Sequence, residues 1–111
     1  MPSSDGTSQL DRLYFGRAIS DTGVVTDSAW TDFLREVVTP RFPTGVTVWR
    51  AEGQWRGAAG TLIKEPSFVV EIVHPPTAAA DSGIAQIITA YKRRFEQEAV
   101  LRVTSLVRVQ F

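Results

Sequence analysis

The sequence has no cysteine, one histidine, one methionine and no excess of either charge. The absence of cysteine excludes disulfides, thiolate catalysis and the usual structural zinc sites. One histidine without clustered carboxylates is a poor ligand set, so no metal site and no cofactor are predicted. Twelve basic and twelve acidic residues balance, so no positive field favours nucleic acid or an anionic membrane, and neither partner is expected.

Long apolar runs are also absent, because no stretch approaches the roughly 20 residues of a membrane-spanning helix. No apolar segment follows Met1, which favours a cytoplasmic protein, or an exported one from which a leader has been removed. The 111 residues are 43% apolar and 22% charged, as in an ordinary globular protein. We expect residues 1–10, which include Ser, Gly and Asp but little to bury, to form a disordered leader, and residues 11–111 to form a single domain.

Hydrophobic periodicity divides the chain into alternating strands and helices. The predicted elements are a strand over 13–19, a helix capped by Thr26, Asp27 or Ser28 and closed by Pro40, strands over 46–51 and 67–74, a helix capped by Asp81 or Ser82, and a last strand over 101–111. The order β-α-β-β-α-β predicts an α+β fold, the ferredoxin-like sandwich. In that fold two helices pack on one face of a four-stranded antiparallel sheet.

The alternation along each strand predicts which side chains the uncovered face of the sheet carries. If Arg17 avoids the core, Phe15 shares the open face with it. On the last strand, the residues assigned to the core are Leu101, Val103, Val107, Val109 and Phe111. The predicted open face is therefore Phe15, Val69, Val73 and Leu106 with Arg17, Glu71, Arg102 and Arg108. Such a face is too apolar to remain in water, so we predict a homodimer formed through it.

Six residues are candidates for binding a small molecule. The amide of Gln54, the indole of Trp55 and the guanidinium of Arg56 follow one another where a hairpin projects, and together they can clamp a flat or anionic ligand. The same three residues have a structural explanation, in which Trp55 caps the core and Arg56 stacks on it. The full candidate set is Arg17, Gln54, Trp55, Arg56, Glu71 and Tyr91.

Two further polar positions are ambiguous. His74 precedes Pro75-Pro76 at a strand end, where it is a general base if it lines a pocket and an ordinary polar residue if it does not. Glu65 and Glu71 share one side of a strand only if Pro66 does not interrupt that strand.

Several short motifs resemble an uncharacterised bacterial family known only as a domain of unknown function. They are Leu13-Tyr14-Phe15-Gly16, Arg41-Phe42-Pro43 with Gly45-Val46-Thr47-Val48, Gly53-Gln54-Trp55-Arg56, Glu65, and Tyr91-Lys92 with Arg94-Phe95 and Gln97-Glu98. The Phe-Pro-x-Gly and Gly-Gln-Trp-Arg pieces are the more specific ones. The resemblance runs from about Leu13 to Phe111 and implies a small α+β protein, many of whose relatives carry a secretion or lipoprotein signal. It implies no activity, cofactor or catalytic residue.

Two classes of function remain open from the sequence. The first is a small-molecule-binding protein of the dimeric α+β-barrel type, or a cofactor-free enzyme of that type. The second is a non-catalytic structural or protein-interaction module in which the aromatic residues only build the core. Binding is favoured over catalysis because no pair of nucleophile and base is visible.

Overall fold

A computed structural model describes residues 6–19 and 23–111 of the chain. Its elements are β1 (Thr7–Gly16), β2 (Ala18–Ile19), β3 (Gly23–Val24), α1 (Asp27–Phe33), a π-helical turn (Leu34–Val38), α2 (Thr39–Arg41), β4 (Thr47–Arg56), β5 (Leu62–His74), α3 (Ala78–Arg94) and β6 (Leu101–Arg108). Four strands form an antiparallel sheet in the order β4-β5-β1-β6, and β2 pairs with β3 separately. The helical residues 27–41 are continuous, so the predicted combination of a four-stranded antiparallel sheet and two helices is confirmed.

Both helices begin after a threonine cap. Thr26, one of the three predicted caps, accepts a hydrogen bond from the Ala29 N–H at 3.1 Å. Thr77 caps α3 in the same way, and the predicted caps Asp81 and Ser82 were wrong because they lie inside the helix. A hydroxyl at this position satisfies an N–H group that has no partner within the first turn. No helix in the described part of the chain is long and apolar enough to cross a membrane.

The first strand begins earlier than the sequence predicted. β1 starts at Thr7 and pairs with both β5 and β6. Residues 7–10, which we expected in a disordered leader, therefore belong to the sheet. Three of these four side chains are polar, so the segment shows no apolar alternation. It still forms a strand, because backbone pairing does not require apolar side chains. Residues 1–5, the remainder of the predicted leader, and residues 20–22 lie outside the described residues.

One hydrophobic core lies between the sheet and the two helices. Phe15 is its centre, with ring centroids 5.2 Å from Trp30 and 4.6 Å from Tyr91. The rings of Trp30 and Phe68 stack at 4.3 Å with their planes 2° apart. The sheet contributes Leu13, Phe15, Phe68, Val70 and Ile72, and the helices contribute Trp30, Phe33, Val37, Val38, Ile84, Ile87 and Tyr91. Both helices therefore cover the same face of the sheet.

The prediction of which residues of β1 face outward was wrong. Phe15 is fully buried in the core, and Arg17 lies on the same side of the sheet. The Arg17 guanidinium stacks over the Phe68 ring at 4.5 Å and donates to the Val25 carbonyl at 2.8 Å and to the Asp27 carboxylate at 3.0 Å. A long arginine at a strand end covers apolar surface with its stem while its charged head finds partners at the rim of the core.

The prediction for β6 was wrong for a related reason. Arg102 lies directly opposite Leu13, whose side chain is in the core. The register therefore places on the covered face three residues that we predicted on the open face: Arg102, Leu106 and Arg108. The residues of β6 predicted for the core point to the open face instead: Leu101, Val103 and Val107. Val109 and Phe111 lie beyond the strand, and Phe111 is 84% exposed.

We use the name open face for the side chains of the main sheet that point away from the helices. By register they include Thr47, Trp49 and Ala51 of β4, Ile63, Glu65, Ser67, Val69, Glu71 and Val73 of β5, Leu10, Arg12, Tyr14 and Gly16 of β1, and Leu101, Val103 and Ser105 of β6. Val69, Glu71 and Val73 are on this face as predicted. Arg12 and Glu71 form an ion pair at 2.8 Å near its middle.

Candidate functional site

A half-enclosed cavity of about 840 Å³ lies where β1 ends, beside the β4–β5 hairpin. We call it the sheet-end pocket. One wall belongs to the open face and consists of Tyr14, Gly16, Gly53, Glu65, Ser67 and Leu101. The segment after α3 supplies Glu96, Gln97, Glu98 and Ala99, and Ala18 and Gln54 complete the lining. The volume is in the range of small-molecule sites, about 300–1,000 Å³.

The backbone of Ala18 holds two polar side chains at the pocket. Its N–H donates to Oε1 of Glu65 at 3.2 Å, and its carbonyl accepts from Nε2 of Gln97 at 2.6 Å. The Glu65 carboxylate passes so close to Gly16 that a Cβ at that position would overlap it. Glycine at position 16 therefore gives the carboxylate the space it occupies. The second oxygen of Glu65 has no hydrogen-bond partner among the described residues.

Tyr91 supports the pocket wall from the core side of the sheet. It is fully buried in the core, and its hydroxyl donates to the Gly16 carbonyl at 2.6 Å. Burial raises the pKa of Tyr91, an effect that Arg17 opposes and Glu65 reinforces, so the phenol stays protonated and remains a donor. Tyr91 was predicted to bind a ligand, but the structure shows it fixing the end of β1 that forms the pocket wall.

The segment after α3 is held in a defined conformation. The Phe95 N–H closes the last helical turn on the Tyr91 carbonyl at 3.0 Å. The Gln97 N–H donates to the Lys92 carbonyl at 3.0 Å, which is the 6→1 hydrogen bond of a Schellman helix end. Glu96 occupies the left-handed position of this motif with φ of 54°, where glycine is the usual residue. A side chain in this conformation is uncommon, and it brings the Glu96 carboxylate to the pocket.

The electrostatic character of the sheet-end pocket is acidic. Three glutamates line it, and no lysine, arginine or histidine occurs among the described residues of its lining. Tyr14, Ser67 and two glutamines add neutral hydrogen-bonding groups. Such a lining favours a ligand that carries positive charge and several hydrogen-bond donors. No group of three or more His, Asp or Glu residues suited to a metal ion occurs in residues 6–19 and 23–111.

The structure brings few of the predicted binding residues together. Gln54 lines the sheet-end pocket, and Trp55 follows it in β4, opposite Ile63 of β5. Arg56 donates to the Gly60 carbonyl at 2.8 Å within the hairpin. The remaining three lie elsewhere: Arg17 at the rim of the core, Glu71 in its ion pair on the open face, and Tyr91 in the core. A binding role for the six residues stays a prediction.

Most residues of the pocket lining were not predicted from the sequence. Glu65 was set aside because Pro66 follows it, yet β5 runs unbroken through Pro66, and the Pro66 carbonyl accepts from the Arg17 N–H at 3.2 Å. Strict alternation from Glu71 back to Glu65 would have placed both carboxylates on one face. The Glu96–Glu98 segment was interpreted only as the end of a helix, and Gln97-Glu98 only as part of the family resemblance.

A second polar cluster surrounds Asp11, on the covered face of the sheet. The carboxylate is fully buried and accepts from Nε of Arg102 at 2.8 Å, from Nε2 of His74 at 2.6 Å and from the hydroxyl of Thr104. Burial raises the pKa of Asp11, but the hydrogen bonds from Arg102, Thr104, His74 and Gln9 outweigh it and hold the pKa well below its usual value. Asp11 is therefore an ionised group with a complete set of partners.

His74 has no nitrogen free for proton transfer. Its Nε2 faces the Asp11 carboxylate, and its Nδ1 lies 2.7 Å from the Pro75 carbonyl. Both ring nitrogens are therefore engaged by oxygen atoms of the chain. His74 does border a second cavity of about 450 Å³, together with Phe42, Ala80 and Gly83. The structural explanation of His74 is thus favoured over a general base.

The architecture and the pocket define the class of this protein: small α+β proteins in which two helices cover one face of a four-stranded antiparallel sheet. The chain belongs to the family described as "Protein of unknown function (DUF3574)", whose sequence profile matches residues 10–111. The predicted membership in a family of unknown function is confirmed. No match was found among curated proteins.

Two solved structures are similar over the whole chain. They are a phage SAM lyase in complex with S-methyl-5'-thioadenosine, with a TM-score of 0.71, and a phage SAM lyase in the apo state, with a TM-score of 0.69. Each is 14% identical to this chain, and the alignment covers 100% of this chain and 95% of the other. At this identity the similarity shows a shared fold.

Proposed function

We propose that this chain binds a small molecule in the sheet-end pocket, and that the ligand is a cationic nucleoside of the S-adenosylmethionine type. The observation that carries the proposal is a half-enclosed cavity of about 840 Å³ lined by three glutamates and no described basic side chain. We also propose that the single core makes residues 11–111, together with residues 7–10 of β1, one domain, and that its strand order β4-β5-β1-β6 is the ferredoxin-like order.

The ligand class follows from the chemistry of the lining. S-Adenosylmethionine carries a sulfonium and an ammonium group, which Glu65, Glu96 and Glu98 complement in charge. Its ribose and adenine supply hydrogen-bonding groups suited to amides such as Gln54 and Gln97. The fold similarity to a phage SAM lyase in complex with S-methyl-5'-thioadenosine supports testing these two nucleosides first.

The backbone of Glu96 supports the same site. A non-glycine residue in the left-handed region costs free energy, of order 1 kcal/mol, and such residues are concentrated at functional sites. Glycine would end α3 with less strain. A glutamate at this position is explained if its carboxylate serves the pocket.

The proposal assigns binding and no catalytic residue. Glu65 is held by a backbone N–H, and no pair of nucleophile and base lines the described part of the pocket. Turnover is tested in the same samples, by following the amount of S-adenosylmethionine with mass spectrometry. The interaction-module alternative draws its support from the exposed apolar residues of the open face.

Isothermal titration calorimetry with the two nucleosides tests the proposal. S-Methyl-5'-thioadenosine is a neutral thioether, so we expect S-adenosylmethionine to bind more tightly. We expect Glu65→Gln to weaken S-adenosylmethionine about tenfold, equivalent to about 1.4 kcal/mol, and to change S-methyl-5'-thioadenosine much less.

Glu52→Gln is the matched control. Glu52 is an exposed glutamate of the same hairpin, pairs opposite Pro66 and does not line the sheet-end pocket. We expect it to bind both nucleosides as the unmodified protein does. Equal losses in the two variants, or no heat from either nucleoside at millimolar concentration, would reject the proposed ligand class.

A further inference from the structure

We infer that a second copy of this chain packs face to face on the open face and closes the sheet-end pocket. The existence of the interface rests on the open face alone, and the closing of the pocket rests on the proposed function. The occupant is a second copy because the central ion pair of this face, Arg12 with Glu71, is complementary to itself.

The open face is apolar around one central ion pair. Five of the nine exposed large apolar residues among the described side chains are on it: Trp49, Ile63, Val73, Leu101 and Val103. Leu101 is 61% exposed and Val103 is 41% exposed. Several exposed large apolar side chains on one face of a sheet are typical of an interaction surface. A partner that removes it from water gains the hydrophobic term, about 25 cal/mol per Å² of apolar surface.

The side chains of the open face form rows that cross the four strands. The central row is Thr47, Glu71, Arg12 and Val103, and the next row toward the sheet-end pocket is Trp49, Val69, Tyr14 and Leu101. Arg12 and Glu71 are direct cross-strand neighbours, so they stand at the same height along the strands. Their charges cancel, so the centre of the open face is neutral, and Glu65, which is also on this face, lies in the sheet-end pocket.

The position of this ion pair selects one arrangement of two copies. A two-fold axis parallel to the strands, midway between β1 and β5, sets Arg12 of each copy over Glu71 of the other. A two-fold axis perpendicular to the strands along the central row sets each Arg12 over Arg12 of the other copy, which like-charge repulsion opposes. The parallel axis also sets Trp49 over Leu101, a large side chain against a smaller one. Aligned packing of two sheets is a common geometry, with the sheets about 10 Å apart.

This arrangement extends over the sheet-end pocket. An axis parallel to the strands keeps the same end of both sheets together, so the open side of each pocket meets the corresponding end of the other copy. Tyr14 and Leu101 belong both to the row beside the ion pair and to the pocket lining. The second copy therefore covers the open side of the pocket and reduces the contact of a bound ligand with water.

The oligomeric state tests the interface without any ligand. Light scattering after size exclusion is expected to give twice the chain mass of 12.3 kDa. Val103→Glu places a charge in the central row, does not touch the pocket lining, and is expected to give a monomer with an unchanged circular dichroism spectrum. A monomeric unmodified protein at micromolar concentration, or a trimer, would overturn the two-fold interface.

Mixing two charge-reversed variants distinguishes pairing of Arg12 with Glu71 between two copies from the same pairing within one chain. Arg12→Glu and Glu71→Arg are each expected to be monomeric, because four like charges would meet in the dimer. Mixed in equal amounts, they are expected to form a heterodimer that native mass spectrometry resolves. Failure of the mixture to associate would overturn the proposed arrangement, whereas folding defects in either variant would show in its own spectrum.

Ligand binding by the monomeric variant tests the closing of the pocket. We expect Val103→Glu to bind S-adenosylmethionine at least tenfold more weakly than the unmodified dimer does. Equal affinity would overturn the shared pocket. A dimer that binds neither nucleoside would reject the proposed function while supporting the interface, so the two failures are distinguishable.

Discussion

The Asp11 cluster and the sheet-end pocket use the same kind of side chain in opposite ways. Asp11 is fully buried, and its oxygens accept from side chains of four residues. Glu65 accepts from one backbone N–H, its other oxygen has no hydrogen-bond partner among the described residues, and the residue lines a cavity. A buried carboxylate with all its partners in the chain stabilises the fold, whereas a partly buried one with a free oxygen is available to a ligand. The difference in hydrogen-bond saturation separates a structural cluster from a candidate site.

The largest expected effect comes from removing the charge of Asp11. Asp11→Asn leaves the Arg102 guanidinium, which also pairs with Asp81, without its buried carboxylate. Loss of one partner of a buried ion pair costs about 3–5 kcal/mol in the free energy of unfolding. Denaturant titration measures the change.

Asp32→Asn is the matched control for that substitution. Asp32 pairs with Arg35 on the helix surface, where an ion pair contributes about 0–1 kcal/mol. If both variants lost the same free energy of unfolding, the view of the Asp11 cluster as structural would be wrong.

The second effect is a dependence of stability on pH. The pKa of Asp11 is lower in the folded chain than its unfolded value of about 3.9, so its ionised form stabilises the fold above that pH. As the pH falls below about 3.9, the unfolded chain takes up the proton first and stability declines by up to about 1.4 kcal/mol per pH unit. Denaturant titrations at several values between pH 6 and 2 measure this slope. Asp11→Asn should show a shallower slope, and identical slopes would contradict the assignment.

The smallest effect is expected at the rim of the pocket. Glu96→Gly relieves a left-handed backbone conformation at the end of α3, so we expect it to raise the free energy of unfolding by about 0.5–1 kcal/mol. Because it also removes a pocket carboxylate, we expect weaker binding of S-adenosylmethionine. Thermal unfolding and calorimetry on one preparation measure both. A variant that gained stability and kept full affinity would remove Glu96 from the site.

Much of the fold was accessible from the sequence because apolar periodicity is local. The stripe from Trp30 to Val38 predicted the first helix, and the alternation after Ser67 predicted the third strand of the sheet. Which side chains of β1 and β6 face the core was not accessible in the same way. Their orientation was inferred by keeping arginines out of the core, but Arg102 turns inward toward Asp11, a carboxylate 91 positions away. The sequence alone does not show which distant charged residue will pair with a given arginine in the folded chain.

The candidate site was largely inaccessible from the sequence. Gln54 was predicted as a site residue because its hairpin carries projecting polar residues. Glu65 was not, because Pro66 was expected to interrupt its strand. The acidic segment after α3 carries only the Gln97-Glu98 piece of the family resemblance. Its place in the pocket depends on the helix end, which sets it beside β1 and the hairpin. A pocket made from three separate segments has no signature within any one of them.

By itself the sequence determined the four main strands, the two helices, their order and the family, since backbone preference and apolar spacing act over a few residues. Only the tertiary structure decided which face each strand presents, which carboxylates are saturated and which face a cavity. Those outcomes depend on the register between strands and on side chains far apart in the chain, and a charged residue takes its role from the partner that folding brings to it.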